Sequence, residues 1–179
     1  MKSRFNASVR IIFLIGIAIG CALVVPRAAG DEAKDKAAAK NAPFDAISAL
    51  TGTWVAVGAP EGQKPMTLVF KPTAGGSAII ETMFPGSDRE MVNVYSIDGG
   101  GVLLTHFCHL GNQPRMRATS ADNGVLNFDY VDAGNLKSRD EPHMDSVQIT
   151  IKGNQLIENW AMYQGGKVTG HHSFEFKRQ

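Results

Sequence analysis

Leu50-Thr51-Gly52-Thr53-Trp54, early in the chain, and Phe174-Glu175-Phe176-Lys177-Arg178, late in it, are the stretches that decide the fold. Each alternates apolar and polar residues with the period of a strand, and each carries a large aromatic on one phase. Working outward from them, the same period continues through Thr53–Gly58, Met66–Lys71, Ser77–Phe84, Glu90–Ile97 and Val102–His109. It resumes in Arg115–Ser120, Val125–Val131, Asp145–Ile151, Leu156–Tyr163 and Val168–Lys177. No stretch after Thr51 holds a helical period for three turns.

The breaks carry turn chemistry: Gly75-Gly76, Pro85-Gly86, Asp98-Gly99-Gly100-Gly101, Asp122-Asn123-Gly124, Lys152-Gly153-Asn154 and Gly165-Gly166. Glycine reaches positive φ without steric cost, and Asn and Asp tolerate it. Short strands joined by tight turns imply an antiparallel meander, and closing the sheet on itself removes its exposed edges. The expectation is an all-β domain over residues 44–179: a single antiparallel up-and-down β-barrel of about ten strands. A two-sheet sandwich has the same pattern. Ahead of the strands, Phe44, Ile47 and Leu50 recur at three-residue spacing, predicting a short N-terminal helical turn that caps the barrel floor.

Residues 1–30 read as a signal peptide. Lys2, Arg4 and Arg10 precede an apolar run from Ile11 to Val25, and Ala28 and Gly30 supply small residues before Asp31. A membrane span needs roughly twenty apolar residues, more than this run holds. A lipoprotein is the alternative, with Ala18-Ile19-Gly20-Cys21 resembling a lipobox and Cys21 lipidated. Residues 31–43 form a charged, Ala-rich linker without an apolar stripe. Removing residues 1–30 takes four of the 18 basic residues and none of the 17 acidic ones, leaving 14 against 17, a net charge of −3. That balance excludes the electrostatic footprint of a nucleic-acid binder. Of the two cysteines only Cys108 remains, so the mature chain has no internal disulfide and must be held by its core.

The opening Gly52-Thr53-Trp54 after a short helical segment resembles the Gly-x-Trp start of lipocalins and related calycins. The resemblance implies a ligand-holding barrel in which an Arg near the end of the last strand packs over the Trp. Here Arg178 would cover Trp54, a guanidinium on an indole face that seals one end. The lipocalin Thr-Asp-Tyr motif is absent. The middle of the domain resembles a group of exported bacterial proteins of unknown function. That likeness rests on Pro85-Gly86, Glu90-Met91-Val92, Leu104-Thr105-His106-Phe107-Cys108 and Gly111-Asn112-Gln113-Pro114-Arg115-Met116-Arg117. The closing segment is similar to nitrobindin-type barrels, which implies haem with His171 as the iron ligand. Ala56 stands where that family has a Gly, and His171 shares the polar phase of Ser173, Glu175 and Lys177.

Strand phase selects the candidate site. Tyr130 follows Leu126 and Phe128 on the apolar face, and His172 is in phase with Phe174 and Phe176. On Leu156–Tyr163, one face holds Leu156, Glu158, Trp160 and Met162, the other Ile157, Ala161 and Tyr163. Inward polar candidates are therefore Tyr130, His106, His143, Asp145, His172 and Glu158, with Trp160 beside them. A mostly apolar cavity with a few polar groups is what a small-molecule site looks like. Arg115 and Arg117 share a face and could clamp a carboxylate or phosphate. His106 and Cys108 could supply zinc or copper ligands, with His143 or His172 from another strand. No acid–base or nucleophile constellation stands out, so catalysis and a resident cofactor are not indicated.

The sequence thus points to an exported, periplasmic or secreted monomer that binds a small, partly apolar ligand. It would meet a membrane only through the signal segment or a lipidated Cys21. Three other classes compete: a haem- or metal-binding barrel using His171/His172 or His106/Cys108, a cavity enzyme working through His106, His143, Tyr130 or Glu158, and an envelope interaction protein with a filled barrel.

Overall fold

The computed structural model describes residues 41–179; the signal, the Cys21 alternative and most of the linker lie outside them. Helix α1 (Ala42–Ser48) is followed by strands β1 (Gly52–Ala56), β2 (Thr67–Thr73), β3 (Ala78–Met83), β4 (Met91–Asp98) and β5 (Gly101–Phe107). Then come β6 (Gln113–Ala118), β7 (Val125–Gly134), β8 (His143–Lys152), β9 (Gln155–Gln164) and β10 (Lys167–Arg178). Each strand pairs with its sequence neighbours, and β10 returns to β1, so ten antiparallel strands close into one barrel. The meander is a barrel, not a sandwich.

Helix α1 starts two residues earlier than its apolar spacing suggests, because Asn41 caps it. The Asn41 carboxamide oxygen accepts from the Phe44 amide at 3.1 Å, and Pro43 sits in the first turn, where its missing N–H costs nothing. The Asn41 side-chain nitrogen also donates to the Gly101 carbonyl at 3.0 Å, docking the helix against the β4–β5 turn. Phe44, Ile47 and Leu50 all bury into the barrel floor.

Trp54, Leu68, Phe70, Ile79, Tyr95, Leu104, Met116, Leu126, Phe128, Val147, Ile149, Leu156 and Phe176 fill the interior and are almost wholly buried. Burying a large apolar side chain contributes roughly 1.5–3 kcal/mol, so this core holds the barrel, and Cys108, the cysteine of the described residues, is free.

At the closed end, Trp54 pairs with Arg178 across β1 and β10. The guanidinium carbon lies 4.4 Å from the Trp54 ring centroid. Its two terminal nitrogens donate to the Thr51 and Ala49 carbonyls, each at 2.7 Å. The indole N–H donates to the Leu50 carbonyl at 2.7 Å. Gly52 makes room: its φ is +126°, and a Cβ there would sit 3.3 Å from an Arg178 nitrogen. The turns at 74–77, 99–100, 119–124 and 153–154 share this end. The connections 57–66, 84–90, 108–112, 135–142 and 165–166 gather at the other, which we call the open end.

Candidate functional site

The barrel interior carries a ring of polar side chains set in apolar surroundings. Glu81, Asn93 and His106 are register partners across β3, β4 and β5, so their side chains leave the same face. Glu158 and Trp160 come from β9 on the facing wall, and Tyr95 stands one step below Asn93. Every member is at most 2 % exposed. Asn93 Nδ2 and Tyr95 Oη both donate to Glu81 Oε2 at 2.7 Å. His106 Nδ1 lies 2.7 Å from Asn93 Oδ1, and its ring is 5.1 Å from that of Trp160. Trp160 Nε1 donates to Glu158 Oε2 at 3.0 Å, and the Glu158 carboxyl lies near enough to that of Glu81 for their charges to interact, which completes the ring.

Donor and acceptor roles fix the protons. Asn93 spends its N–H on Glu81, so its oxygen accepts and His106 Nδ1 must carry the hydrogen. His106 Nε2 is then a bare lone pair. Burial pushes the imidazole down to about 4, with His109 nearby adding to the effect, so it is neutral at pH 7. Burial likewise raises Glu158 well above the usual carboxylate range, and the Glu81 charge pushes it further. Glu81 is raised by burial as well, opposed by the hydrogen bonds it accepts from Asn93 and Tyr95. Two donors converge on Glu81 Oε2 and one on Glu158 Oε2, so of the pair Glu158 is the more strongly held in its protonated form. Three atoms of the ring have no protein partner: Glu81 Oε1, Glu158 Oε1 and His106 Nε2.

Above the ring, toward the open end, the lining turns soft. Met66, Phe84, Met91, Met144 and Met162 are half-buried there, whereas Met83 and Met116 belong to the core. A shallow groove of about 220 Å³ runs beside this mouth, lined by Lys64, Met66, Phe84, Pro85 and Arg89.

A second polar cluster stands at the same end. The Arg139 guanidinium carbon lies 3.7 Å from the Tyr130 ring centroid and 3.9 Å from that of Tyr163, and it pairs with Asp145. His143 is buried between the same two tyrosines, with ring distances of 5.2 and 5.3 Å. Its Nδ1 donates to the Glu141 carbonyl at 2.6 Å. Asn112 donates to the Pro142 carbonyl at 2.8 Å, which ties the β5–β6 turn to this loop. Here Arg139 Nη1, His143 Nε2 and Asn112 Oδ1 are the unpartnered atoms.

The sequence-derived candidates thus divide into groups. His106, Trp160 and Glu158 meet in the interior ring, while Tyr130, His143 and Asp145 meet in the open-end cluster. Arg115 and Arg117 point along the outer wall, paired with Asp132 and Asp98. His172 pairs with the inward Trp160 of β9, yet it is exposed; β1 pairs with β10 only from Phe176 to Arg178, short of His172. His171 is also exposed and borders an outer-wall groove with Asn127, Gln148 and Asn159. Cys108 is buried, and burial raises its thiol.

Sequence reasoning missed Glu81, Asn93, Tyr95, Arg139 and Tyr163. A signal existed for the first: Glu81 sits in the apolar phase of Ile79-x-Glu81-x-Met83, where an acid requires partners. Among the described residues, no group of three or more His, Cys, Asp or Glu side chains converges as metal ligands. The chain matches no protein-family model, and comparison with curated proteins finds no match.

Proposed function

We propose that this protein is an exported, lipocalin-like carrier of a small amphipathic molecule, its polar end held at the interior ring and its apolar part among the mouth methionines. The observation that carries the reading is the set of unpartnered atoms: Glu81 Oε1, Glu158 Oε1 and His106 Nε2 lie buried in an apolar core. A buried polar atom without a partner costs about 1–3 kcal/mol, and native interiors rarely leave such groups unmet. One proton shared between the carboxyl groups answers part of that demand. The lone pair on His106 Nε2 still calls for a donor, which a ligand hydroxyl or amine supplies.

The mouth fits the other half of such a molecule. Methionine is flexible and polarisable, and it adapts to apolar shapes of differing outline. Because the ring atoms are fully covered, admission requires Met91, Met144 or Met162 to change rotamer. Side-chain motions of that kind cost little compared with opening a strand. Export follows from the signal-like residues 1–30 and their basic, apolar and small-residue order.

A suitable test uses 1-octanol and octane as probes, followed through the Trp160 indole N–H resonance, which reports on its bond to Glu158. Octanol is expected to shift that resonance saturably, and His106→Leu should weaken octanol binding at least tenfold while sparing octane. An unmoved Trp160 signal, or equal losses for both probes, would overturn the assignment. Native mass spectrometry of protein from its own compartment then weighs whatever molecule the ring retains.

A further inference from the structure

One cluster on the open rim serves neither the ring nor the Arg139 loop. Directly outward from the Asn93–His106 pair, the next residues in phase are Met91 and Cys108, with His109 beside them in the β5–β6 turn. His109 Nδ1 lies 3.4 Å from Met91 Sδ and 4.0 Å from Cys108 Sγ. The Met91 thioether of β4 and the Cys108 thiol of the β5–β6 turn thus both stand within reach of one imidazole, that of His109. We propose that Met91, Cys108 and His109 form a binding site for a soft monovalent metal ion of the Cu(I) type.

Geometry and donor chemistry argue for this together. Two ligands on a metal with bonds of about 2.0–2.3 Å stand roughly 3.5 Å apart, the spacing seen around His109 Nδ1. A hydrogen-bonded imidazole and a thioether have little reason to approach so closely for each other's sake, since thioether sulfur is a weak acceptor. Thiolate and thioether together select Cu(I), whereas Mg²⁺, Ca²⁺ and Mn²⁺ want oxygen. Zinc sites use Cys, His and carboxylate, so it is the Met91 thioether that turns this set toward Cu(I). The local mechanics also suit a metal. Gly111 N–H donates to the Cys108 carbonyl at 2.9 Å and Cys108 N–H to the Asn112 carbonyl at 3.1 Å, so the turn that presents Cys108 and His109 is fixed at both ends. His109 is exposed and Cys108 nearly covered, which gives an ion one open approach over a dry sulfur.

Binding is a simple exchange. The Cys108 thiol releases its proton to solvent, the sulfur takes the ion, and Met91 Sδ and His109 Nδ1 complete a three-coordinate site with no change of oxidation state. Met91 also lines the mouth used by the carrier reading, but Cys108 and His109 belong to neither the ring nor the mouth, so copper capture by these two residues is read separately from octanol binding at Trp160.

The test is anaerobic competition of the purified mature protein, residues 31–179, with the chromogenic chelator bicinchoninate for Cu(I). The wild type is expected to withdraw one equivalent. Met91→Leu, close to isosteric and so expected to fold, and His109→Asn should each lower the affinity at least tenfold, and Cys108→Ser should abolish capture. Met144→Leu, a mouth methionine outside the site, should leave it unchanged. X-ray absorption of the loaded protein should show two sulfur neighbours and one nitrogen. Failure to withdraw copper, capture unaffected by both Met91→Leu and His109→Asn, or an equal preference for Zn²⁺ would each overturn the site.

Discussion

The two ends of this barrel each place an arginine on aromatic rings, and they use it to opposite effect. At the closed end, Arg178 covers Trp54 and spends both terminal nitrogens on backbone carbonyls more than a hundred residues away in sequence. Those carbonyls belong to Ala49 and Thr51, just past the last turn of α1, where intrahelical partners run out and a cation is welcome. At the open end, Arg139 is held between Tyr130 and Tyr163 on an irregular loop, with one guanidinium nitrogen and the neighbouring His143 Nε2 left unpartnered. One contact is saturated and closes the barrel. The other retains hydrogen-bonding capacity among half-buried rings.

Removing the aromatic at the saturated end gives the largest expected effect. Trp54 is completely buried, and its N–H anchors Leu50. Trp54→Ala should cost about 3–5 kcal/mol from lost transfer energy and the cavity left behind. Urea unfolding measures it. A loss below about 1 kcal/mol would show that closure does not depend on this seal.

Between the ends, pH probes the interior ring, and the signs follow from its shifts. His106 titrates at about 4 in the fold against an ordinary 6.5. Between those values the unfolded chain takes up a proton that the native state refuses, so stability falls as pH drops through that window. At about 1.4 kcal/mol per unit the loss reaches about 3 kcal/mol. Glu81 and Glu158 act the other way: their raised values mean the fold keeps protons that the unfolded chain has lost, so stability falls as pH rises above the ordinary carboxylate value of 4.5. Stability should therefore peak in mild acid. From pH 4.5 to 6.5 these opposing contributions overlap, so His106→Gln should steepen the fall of stability with rising pH in that window, and Glu158→Gln should lessen it. Slopes unchanged in both variants would mean that the ring does not set the pH response.

What could be read from sequence follows the same division between the ends. The strands were legible because glycine and Asn/Asp turns punctuate a period-two pattern, and the bracket from Trp54 to Arg178 lies on regular, unbulged pairing. Past a bulge, counting by twos fails. Register shifts next to Val131 and Asp145 break the alternation on β7 and β8, so nothing in the sequence says that His143 pairs with Tyr163 or that Arg139 reaches both tyrosines. The ring was half legible for a different reason. Phase can put Glu158 and His106 inside, yet only the register of β3 against β4 and β5 brings Glu81 and Asn93 level with His106. Arg115 and Arg117 illustrate the converse: shared phase was visible, but their partners Asp132 and Asp98 are cross-strand facts.

The smallest effect tests the comparison directly, by deleting each arginine. Arg178→Ala strips partners from the Ala49 and Thr51 carbonyls and uncovers the indole, for an expected cost of about 1–3 kcal/mol. Arg139→Ala removes a partly exposed pair with Asp145 and a stack on two half-buried rings. Solvent screening and the entropy of holding a long side chain leave little net stability there, about 1 kcal/mol or less. Urea midpoints of the two variants, taken side by side at pH 7, decide the matter, and hydrogen exchange of the 135–142 amides should quicken only in Arg139→Ala. Equal losses would mean that Arg139 is a second structural clamp, and its unpartnered nitrogen would then have to be met by solvent. A clear gap means the open-end loop can move without loosening the barrel, the freedom that a ligand entering over the mouth methionines requires.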